Sequence, residues 1–505
     1  MDNRARGISA VKRAVVIGAG LGSLACAIRL AAEGWKVTVL ESQPFSGGKL
    51  ARVERLGYRF DRGPSTITMP HAFSAVFEAA GRRMEQYLDW YRIDPSTRNR
   101  FSDGHTVDLS ADPEHMREQI AAYSPDDAAR YPAFLEEARR LRSLADRHFL
   151  SRAMATTRDM ASLRLFSAFM RIRPFTSLQQ LLARYFRHPN TLAMFGRYAT
   201  YVGGEPAGSP ALFAMLASVE ADGGVYGLRG GTYELAAALA RLAVELGVTF
   251  EYGARATRIS VRNGHVLGVE STVGDYAADR VVAGSDTLAV MRDLLPQASG
   301  GSLTDSRLAA RYEPSLSGFV MLAGVPAVHE SLLHHTVYYP ARYGTEFDDI
   351  FRLRRPPEDP AIYVCNSSRS EPSAAPPGSS NLFILVNAPY LSSDSDWDEE
   401  RTLTYRDRIL QKLAERGLGP IGPAAEVLDV YTPADLLRDA SAYRGAIYGI
   451  SSNGWRQTFL RPANRSPHIE GLWFVGGTAR PGGGTPIVTM NGLHVAERIL
   501  QEDRY

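Results

Sequence analysis

An α/β fold, with one parallel-sheet domain assembled from separated pieces of chain, is what this sequence predicts, and three observations carry that expectation. A short apolar run near the start is followed by closely spaced glycines, a helical pattern and a second apolar run. The same alternation of strand and helix returns in the middle of the chain and again in its last 35 residues. Between these pieces lie a strongly helical stretch and a mixed stretch.

Each element has its own signal. Ala14–Ile17 reads as a strand, Ser23–Glu33 as a helix with Leu24, Ile28 and Ala31 or Ala32 on one face, and Gly34 as its stop. Lys36–Leu40 reads as a second strand ending at Glu41. Strand, glycine turn, helix and strand make a βαβ unit, which is right-handed and parallel. Arg4, Arg6, Lys12 and Arg13 before the uncharged run Ala14–Ile28 outline a signal peptide, but Gly18, Gly20 and Gly22 fit a strand and helix better. Nowhere do about 20 apolar residues run together, so a chain that does not span a membrane is expected.

From about Ser110 to Ala221 the pattern is helical. Thr176 and Gln179 have capping-box spacing after Pro174, and Leu178, Leu181, Leu182, Tyr185 and Phe186 follow one helix face. Tyr233–Leu246 reads as a helix, Thr249–Tyr252, Thr257–Val261 and Arg280–Ala283 as strands, and Arg262-Asn263-Gly264-His265 as a turn. The region from Leu303 to Ala440 is mixed, with loops at Pro356-Pro357, Ser373–Ser380 and the acidic Asp394–Glu400, and a helix start at Thr432-Pro433. Leu472–Val475 reads as a strand, followed by a glycine-rich loop and a closing helix from about Ile487 to Gln501. The expected organisation is a discontinuous cofactor domain (1–109, 222–302 and 441–505), a helical region (110–221) and an inserted α+β domain (303–440).

The composition excludes several classes. In 505 residues, 45% hydrophobic and 22% charged content fits a folded globular protein. A net charge of +2 without a block of like charge argues against nucleic-acid binding. Cys26 and Cys365 are too few for a disulfide framework or a cysteine-rich metal site, and they read as buried apolar residues in a reducing, cytoplasmic setting. His188, His334 and His335 have no ligand spacing, so no metal is expected; Glu136-Glu137 and Glu399-Glu400 read as solvated.

The chemistry lies in the glycines. Gly18-Ala19-Gly20-Leu21-Gly22-Ser23 follows a strand and opens a helix. Gly18 permits the tight turn, Gly20 lets the backbone approach a pyrophosphate, and the helix N-terminus favours the anion. Ser23 replaces the third glycine of this Rossmann-type fingerprint. Glu41, about 20 residues on, is placed to bind ribose hydroxyls. The further segments Gly47-Gly48-Lys49 and Phe60-Asp61-Arg62-Gly63-Pro64 suit FAD rather than a nicotinamide. At the far end, Gly471–Gly477 precedes Arg480–Pro486 and a helix, whose N-terminus suits the negative charge of a reduced flavin.

These segments, with Ser65 and Thr66 after Pro64, Ala254–Ile259 and the stretch Gly476–Val488, resemble the bacterial carotenoid desaturase family (phytoene or diapophytoene desaturase type) within the flavin amine oxidase superfamily. The resemblance covers nearly the whole chain. It implies FAD held by Gly18, Gly20, Gly22, Ser23, Glu41, Gly47, Gly48, Lys49, Gly63, Pro64, Ser65, Thr66, Ala256, Gly476, Gly477, Pro486, Ile487 and Val488. It departs from the family where Thr-His-Pro-Gly reads Ala479-Arg480-Pro481-Gly482, and the triple glycine Gly482–Gly484 is nearer to members acting on C30 or partly unsaturated carotenoids.

The resemblance further implies a long isoprenoid substrate, hydride transfer to flavin N5, and oxygen or a quinone as electron acceptor. It also implies peripheral attachment to the inner face of the cell membrane, for which Leu163–Arg187 is the candidate: Leu165, Phe166, Phe169, Met170 and Phe175 alternate there with Arg164, Arg171, Arg173, Arg184 and Arg187. Desaturation of a phytoene-type polyene is the expected reaction. Open beside it are a tailoring enzyme that oxygenates a terminal methyl or desaturates a hydroxylated carotenoid, an amine- or porphyrinogen-oxidising flavoenzyme, and a non-enzymatic prenyl-lipid carrier of the GDP-dissociation-inhibitor type. No catalytic residue is assigned.

Overall fold

Five parallel strands, drawn from three distant parts of the chain, form the sheet around which the protein is built. The computed structural model describes residues 11–151, 153–156, 159, 163–393 and 396–503. Arg4, Arg6, Asp394 and the side chain of Arg164 lie outside the described residues. The strand order is Leu472–Phe474, Arg280–Ala283, Arg13–Ile17, Lys36–Glu41, Thr249–Tyr252, with every neighbouring pair parallel. The chain leaves the central strand Arg13–Ile17 for a neighbour on one side and reaches the neighbour on the other side only much later. That reversal opens a crevice at the carboxyl ends of the strands, where α/β sheets bind ligands.

Side-chain alternation explains the layers. Ala14 and Val16 pack with Leu24, Ile28, Leu235 and Val495 of three helices, Leu21–Ala32, Glu234–Glu245 and Thr485–Glu502. Val15 and Ile17 point the other way, against Ile259 and Val269 of a three-stranded antiparallel sheet. Its first hairpin turns through Asn263 and Gly264, both at positive φ (51° and 77°), as a two-residue primed turn requires.

The second sheet has seven strands in the order Val427–Tyr431, Ser317–Val325, Ser380–Ala388, Ile362–Asn366, His335–Tyr338, Thr97–Arg100, Thr106–Leu109. Pairing is antiparallel except between His335–Tyr338 and Thr97–Arg100. Ser317–Val325 is buried on both faces. Phe319, Met321 and Ala323 pack under Tyr405, Ile409 and Leu413 of the helix Glu399–Glu415, while Val320 and Leu322 pack on Tyr58 and Phe60. Helices between 113 and 223 form the third body, with Phe134, Phe186 and Phe195 at its centre. Among the described residues no helix is long and apolar enough to cross a membrane.

Two local expectations need correction. The capping box is Ser177 with Gln180, not Thr176 with Gln179: Gln180 N–H donates to Ser177 Oγ at 3.1 Å and Ser177 N–H to Gln180 Oε1 at 2.9 Å. Both pairs have the right spacing, but the Ser177 register lets the Leu178 N–H donate to Ser209 O at 2.7 Å and places Leu178, Leu181 and Leu182 in the core. Glu137 is not solvated; it is buried and paired with Arg140 at 2.7 Å and Arg173 at 3.3 Å.

The serine in place of the third fingerprint glycine is accommodated across the sheet. Ser23 Oγ is buried without a hydrogen-bond partner and fills the space a side chain at Gly284 would need. Gly284 holds its place by donating N–H to Ile17 O at 2.8 Å. Gly284→Ala is therefore expected to destabilise the protein by about 1–3 kcal/mol, as overpacking does. Combining it with Ser23→Gly should recover a large part of that loss, a non-additivity read from denaturant midpoints of the two single variants and the double variant.

Candidate active site

The crevice at the strand ends continues into one cavity of about 1060 Å³. Every residue singled out from the sequence as cofactor-binding lines it, from Gly18–Ser23 and Glu41 through Gly47–Lys49, Gly63–Thr66 and Ala256 to Gly476, Gly477 and Pro486–Val488. Gly18 sits at φ +87° and donates its N–H to Leu40 O at 2.7 Å, which bends the chain from strand into helix. Glu41 is buried; Oε2 accepts the Ala19 N–H at 2.7 Å and Oε1 the Gln43 N–H at 2.8 Å. The second glycine pair is tied to the same turn, because Gly47 N–H donates to Ala19 O at 2.9 Å.

The walls suit a dinucleotide pyrophosphate and an anionic ring system. A side chain at Gly20 would meet no protein atom within 4 Å, so the backbone there opens onto free space. The helices Leu21–Ala32 and Thr485–Glu502 both begin at the cavity, and their N-cap residues, Gly20 and Gly484, offer no side-chain acceptor to the first-turn N–H groups. Such helix ends attract anions. Two buried cations add to this field. Lys49 Nζ donates to the carbonyls of Ala446 and Ile447, and burial holds its pKa below the usual lysine value. Arg461 donates to Gly477 O at 3.1 Å and Ile450 O at 3.0 Å, and burial lowers its pKa to about 10. Among the described residues neither cation has a carboxylate within salt-bridge distance, and Asp286 on the cavity wall acts on both from farther away, so an anionic cofactor adds to that counter-charge.

Beyond the cradle the cavity becomes an apolar chamber. Leu212, Phe213, Val219, Leu385 and Phe383 line it, and Phe166, Phe169, Trp455 and Phe459 lie toward the helical end. Phe166 and Phe175 are 63% and 65% exposed. Phe169, Phe175 and Trp455 form an aromatic triangle with ring centroids 5.9–6.3 Å apart.

Several lining groups carry no sequence signal of their own. Gly284-Ser285-Asp286 mirrors the first glycine turn at the end of its own strand, a repeat that the pattern Arg280–Ala283 followed by Gly makes visible once the two strands are known to be neighbours. Arg197, Tyr201 and Tyr363 come from the helical region and the second sheet and converge on the chamber. The expectation that His334 and His335 are structural took no account of Cys365: with that residue their ligand atoms lie within 4.8 Å of one another, because the strand register sets His335 opposite Cys365. His334 Nδ1 is bonded to Ser370 Oγ at 2.9 Å and His335 Nδ1 to Tyr363 Oη at 2.7 Å.

Comparison with known proteins gives the cradle its context. The sequence profile of flavin containing amine oxidoreductases matches residues 24–500. A 4,4'-diapolycopene oxygenase of Methylomonas sp is 32% identical over 495 residues, covering 97% of this chain and 98% of that protein. A 4,4'-diaponeurosporene oxygenase of Staphylococcus haemolyticus is 31% identical over 490 residues, covering 97% of each. Among solved structures, putrescine oxidase bound to putrescine superposes with a TM-score of 0.65 at 14% identity over 97% of this chain and 99% of its own. Cyclohexylamine oxidase from Brevibacterium oxydans gives 0.61 at 16% identity over 98% and 100%. At these identities the structures establish the fold.

Glu41 carries a direct test of the cradle. Glu41→Gln places an amide group where the carboxylate accepts the Ala19 N–H, and removes the charge from the expected ribose contact. Hydrogen bonds to charged groups are worth about 1.5–3 kcal/mol, so FAD should bind roughly ten- to a hundredfold more weakly, measured by titrating the apoprotein and following the quenching of flavin fluorescence.

Proposed function

The chain belongs to the flavin-containing amine oxidoreductase family and is an FAD-dependent oxidoreductase, and from that premise we propose that it oxidises the terminal methyl group of a long acyclic polyene of the C30 carotenoid kind. The observation that carries this reading is the continuity of the cavity, from the dinucleotide cradle through an apolar chamber to an exposed aromatic patch. Such a chamber, walled by Leu212, Phe213, Val219, Phe383 and Leu385, suits a hydrocarbon chain. The two oxygenases to which the chain is similar over 97% of its length support oxygenation of such a polyene as the reaction.

Per methyl group the balance is R–CH3 + O2 → R–CHO + H2O, with four electrons passing from carbon to oxygen. FAD supplies the two-electron redox chemistry and the reaction with oxygen. The chain's own residues bind and exclude water. Gly18–Ser23, Glu41, Gly47–Lys49, Gly63–Thr66 and Pro486–Val488, which line the cavity, would hold the dinucleotide. Val320, Phe383 and Leu385 line the apolar part of the cavity and would keep the bound polyene dry beside the cofactor.

Desaturation of a phytoene-type polyene, the reaction expected from the sequence, is the second reading, because the same apolar chamber accepts a hydrocarbon at any point along its length. Oxygen labelling separates the two. FAD-loaded protein in liposomes containing an acyclic C30 carotenoid is incubated under ¹⁸O₂, and the extracted pigments are weighed. Terminal oxygenation gives products that gain one labelled oxygen and lose two hydrogens per oxidised end. Loss of hydrogen pairs without label establishes the desaturase and overturns the oxygenase.

The exposed aromatic patch supports entry of the substrate from a membrane surface. Phe166, Met170 and Phe175 are exposed beside the mouth, and Phe166 also lines the cavity, so a polyene leaving the bilayer there meets apolar surface throughout. Arg171 is exposed on the same helix and suits anionic headgroups. Phe166→Asp combined with Phe175→Asp removes about 1.5–3 kcal/mol of apolar burial per ring. Cosedimentation with anionic liposomes is expected to fall at least tenfold, and unchanged cosedimentation means that another surface docks.

A further inference from the structure

We propose that Arg197 forms, with Tyr201, a binding subsite for an oxygenated chain end, a terminal aldehyde or carboxylate of the polyene, and holds that end beside the cofactor cradle. The proposal rests on the polyene reading above and assigns to that site its preference among polyenes.

Arg197 opens the short turn Arg197–Val202 at the end of the helix Pro189–Gly196, deep in the protein and on the cavity wall. Its Nη2 donates to Tyr201 Oη at 2.8 Å, and its guanidinium carbon lies 4.9 Å from the Tyr201 ring centre and 5.9 Å from that of Tyr363. Among the described residues no carboxylate oxygen comes within 4 Å of it. Two buried acids lie nearby without reaching it. Glu220 accepts the Tyr198 hydroxyl at 2.9 Å with one oxygen, its other oxygen has no hydrogen-bond partner among the described residues, and burial raises its pKa against the pull of Arg197. Glu346 accepts the Ala361 N–H at 2.7 Å and the Asn387 amide at 3.0 Å, and burial brings its pKa to about 7.

Tyrosine oxygens and the more distant Glu220 stabilise the buried guanidinium in part, but no carboxylate closes on its fork, and a desolvated cation short of a matching anion is costly. Here it faces a chamber whose walls are largely apolar, Leu212, Val337 and Phe383 among them. A hydrocarbon occupant leaves that situation unrelieved. An aldehyde oxygen or a carboxylate accepts from the guanidinium fork and relieves it, and a carboxylate fits two of its N–H groups at once.

Position links this subsite to the reaction. Tyr363, whose ring neighbours Arg197, has its hydroxyl 2.6 Å from Ser65 Oγ, and Ser65 belongs to the cradle segment Gly63–Thr66. An oxygenated end held by Arg197 is therefore one tyrosine ring from the cofactor. The chain thereby discriminates among polyenes by the oxidation state of the end that Arg197 holds.

The test is a binding titration of the FAD-loaded protein with three matched acyclic C30 polyenes, the hydrocarbon, its terminal aldehyde and its terminal carboxylic acid, in detergent micelles of one composition. Quenching of tryptophan emission reports binding. The wild type is expected to bind the aldehyde and the acid at least tenfold more tightly than the hydrocarbon, and Arg197→Met to bring the three dissociation constants within threefold of one another. Equal affinity of the wild type for all three overturns the subsite while leaving the polyene reading in place. Binding of none of them overturns the polyene reading itself. A preference that survives in Arg197→Met, with FAD content and melting as in the wild type, overturns the assignment to Arg197. If Arg197→Met does not hold FAD, Arg197→Lys, which keeps the charge without the planar fork, decides: a preference reduced at least threefold supports the subsite, and an unaltered one overturns it.

Discussion

The close approach of two helix N-termini to one strand end is the constraint on which the rest of this structure depends. The helix Leu21–Ala32 meets Thr485–Glu502 backbone to backbone, because a side chain at Gly492 would run into the Gly22 carbonyl, and one at Gly22 would lie 2.9 Å from Val488 O. Both glycines are buried. This contact brings the last helix of the chain beside the first, and with it the glycine-rich loop Gly476–Gly484 over the first glycine turn. The cavity has two positive helix ends because the packing allows no larger residue between them.

A cradle made this way has buried cations beside it that no carboxylate touches. Lys49 and Arg461 are held only by carbonyl and hydroxyl oxygens, and each has its pKa lowered by burial. Asp286, which also lines the cavity, is occupied by the N–H groups of Leu288 at 3.0 Å and Tyr443 at 3.1 Å. Buried charges of one sign without partners destabilise a fold. A ligand that brings the missing negative charge binds the folded state alone and so couples cofactor binding to stability. The polar groups of the cradle are in this sense incomplete without a dinucleotide.

Much of the fold was legible because its signals are local. Gly18 and Gly20 between an apolar run and a helical face, Glu41 at the end of the next strand, and Asn263-Gly264 between two strands each state their conformation within a few residues. The cradle was legible for the same reason, since its glycines must lie near one another in sequence to make turns. What escaped depends on register and on long-range neighbours. Thr176 and Ser177 offer the same capping pattern, and only the core contacts of Leu178 choose between them. Glu137 looks solvated beside Glu136 until Arg173, brought in by another segment, closes over it. The convergence of His335 with Cys365 is a matter of cross-strand register, and Gly284 as the counterpart of Ser23 exists only across a parallel pair.

The polar end of the chamber belongs to this second kind. Arg197, Tyr201 and Tyr363 come from a helical turn and a sheet strand more than 150 residues apart, and none stands in a motif. Their meeting has a physical consequence that composition alone conceals. An apolar chamber by itself binds any chain of suitable length, and adds affinity roughly in proportion to buried area, with little power to tell one end from another. One desolvated donor group at the inner end changes that, because an acceptor either meets it or leaves it unpaired, and the unpaired state is the expensive one. Discrimination in this protein thus comes from what the chamber refuses to leave unsatisfied, while the chamber's length and greasiness supply the grip. The two contributions sit on different parts of the chain, the grip on the helices and the sheet face, the discrimination on one turn, so the second can change by a single substitution without rebuilding the first.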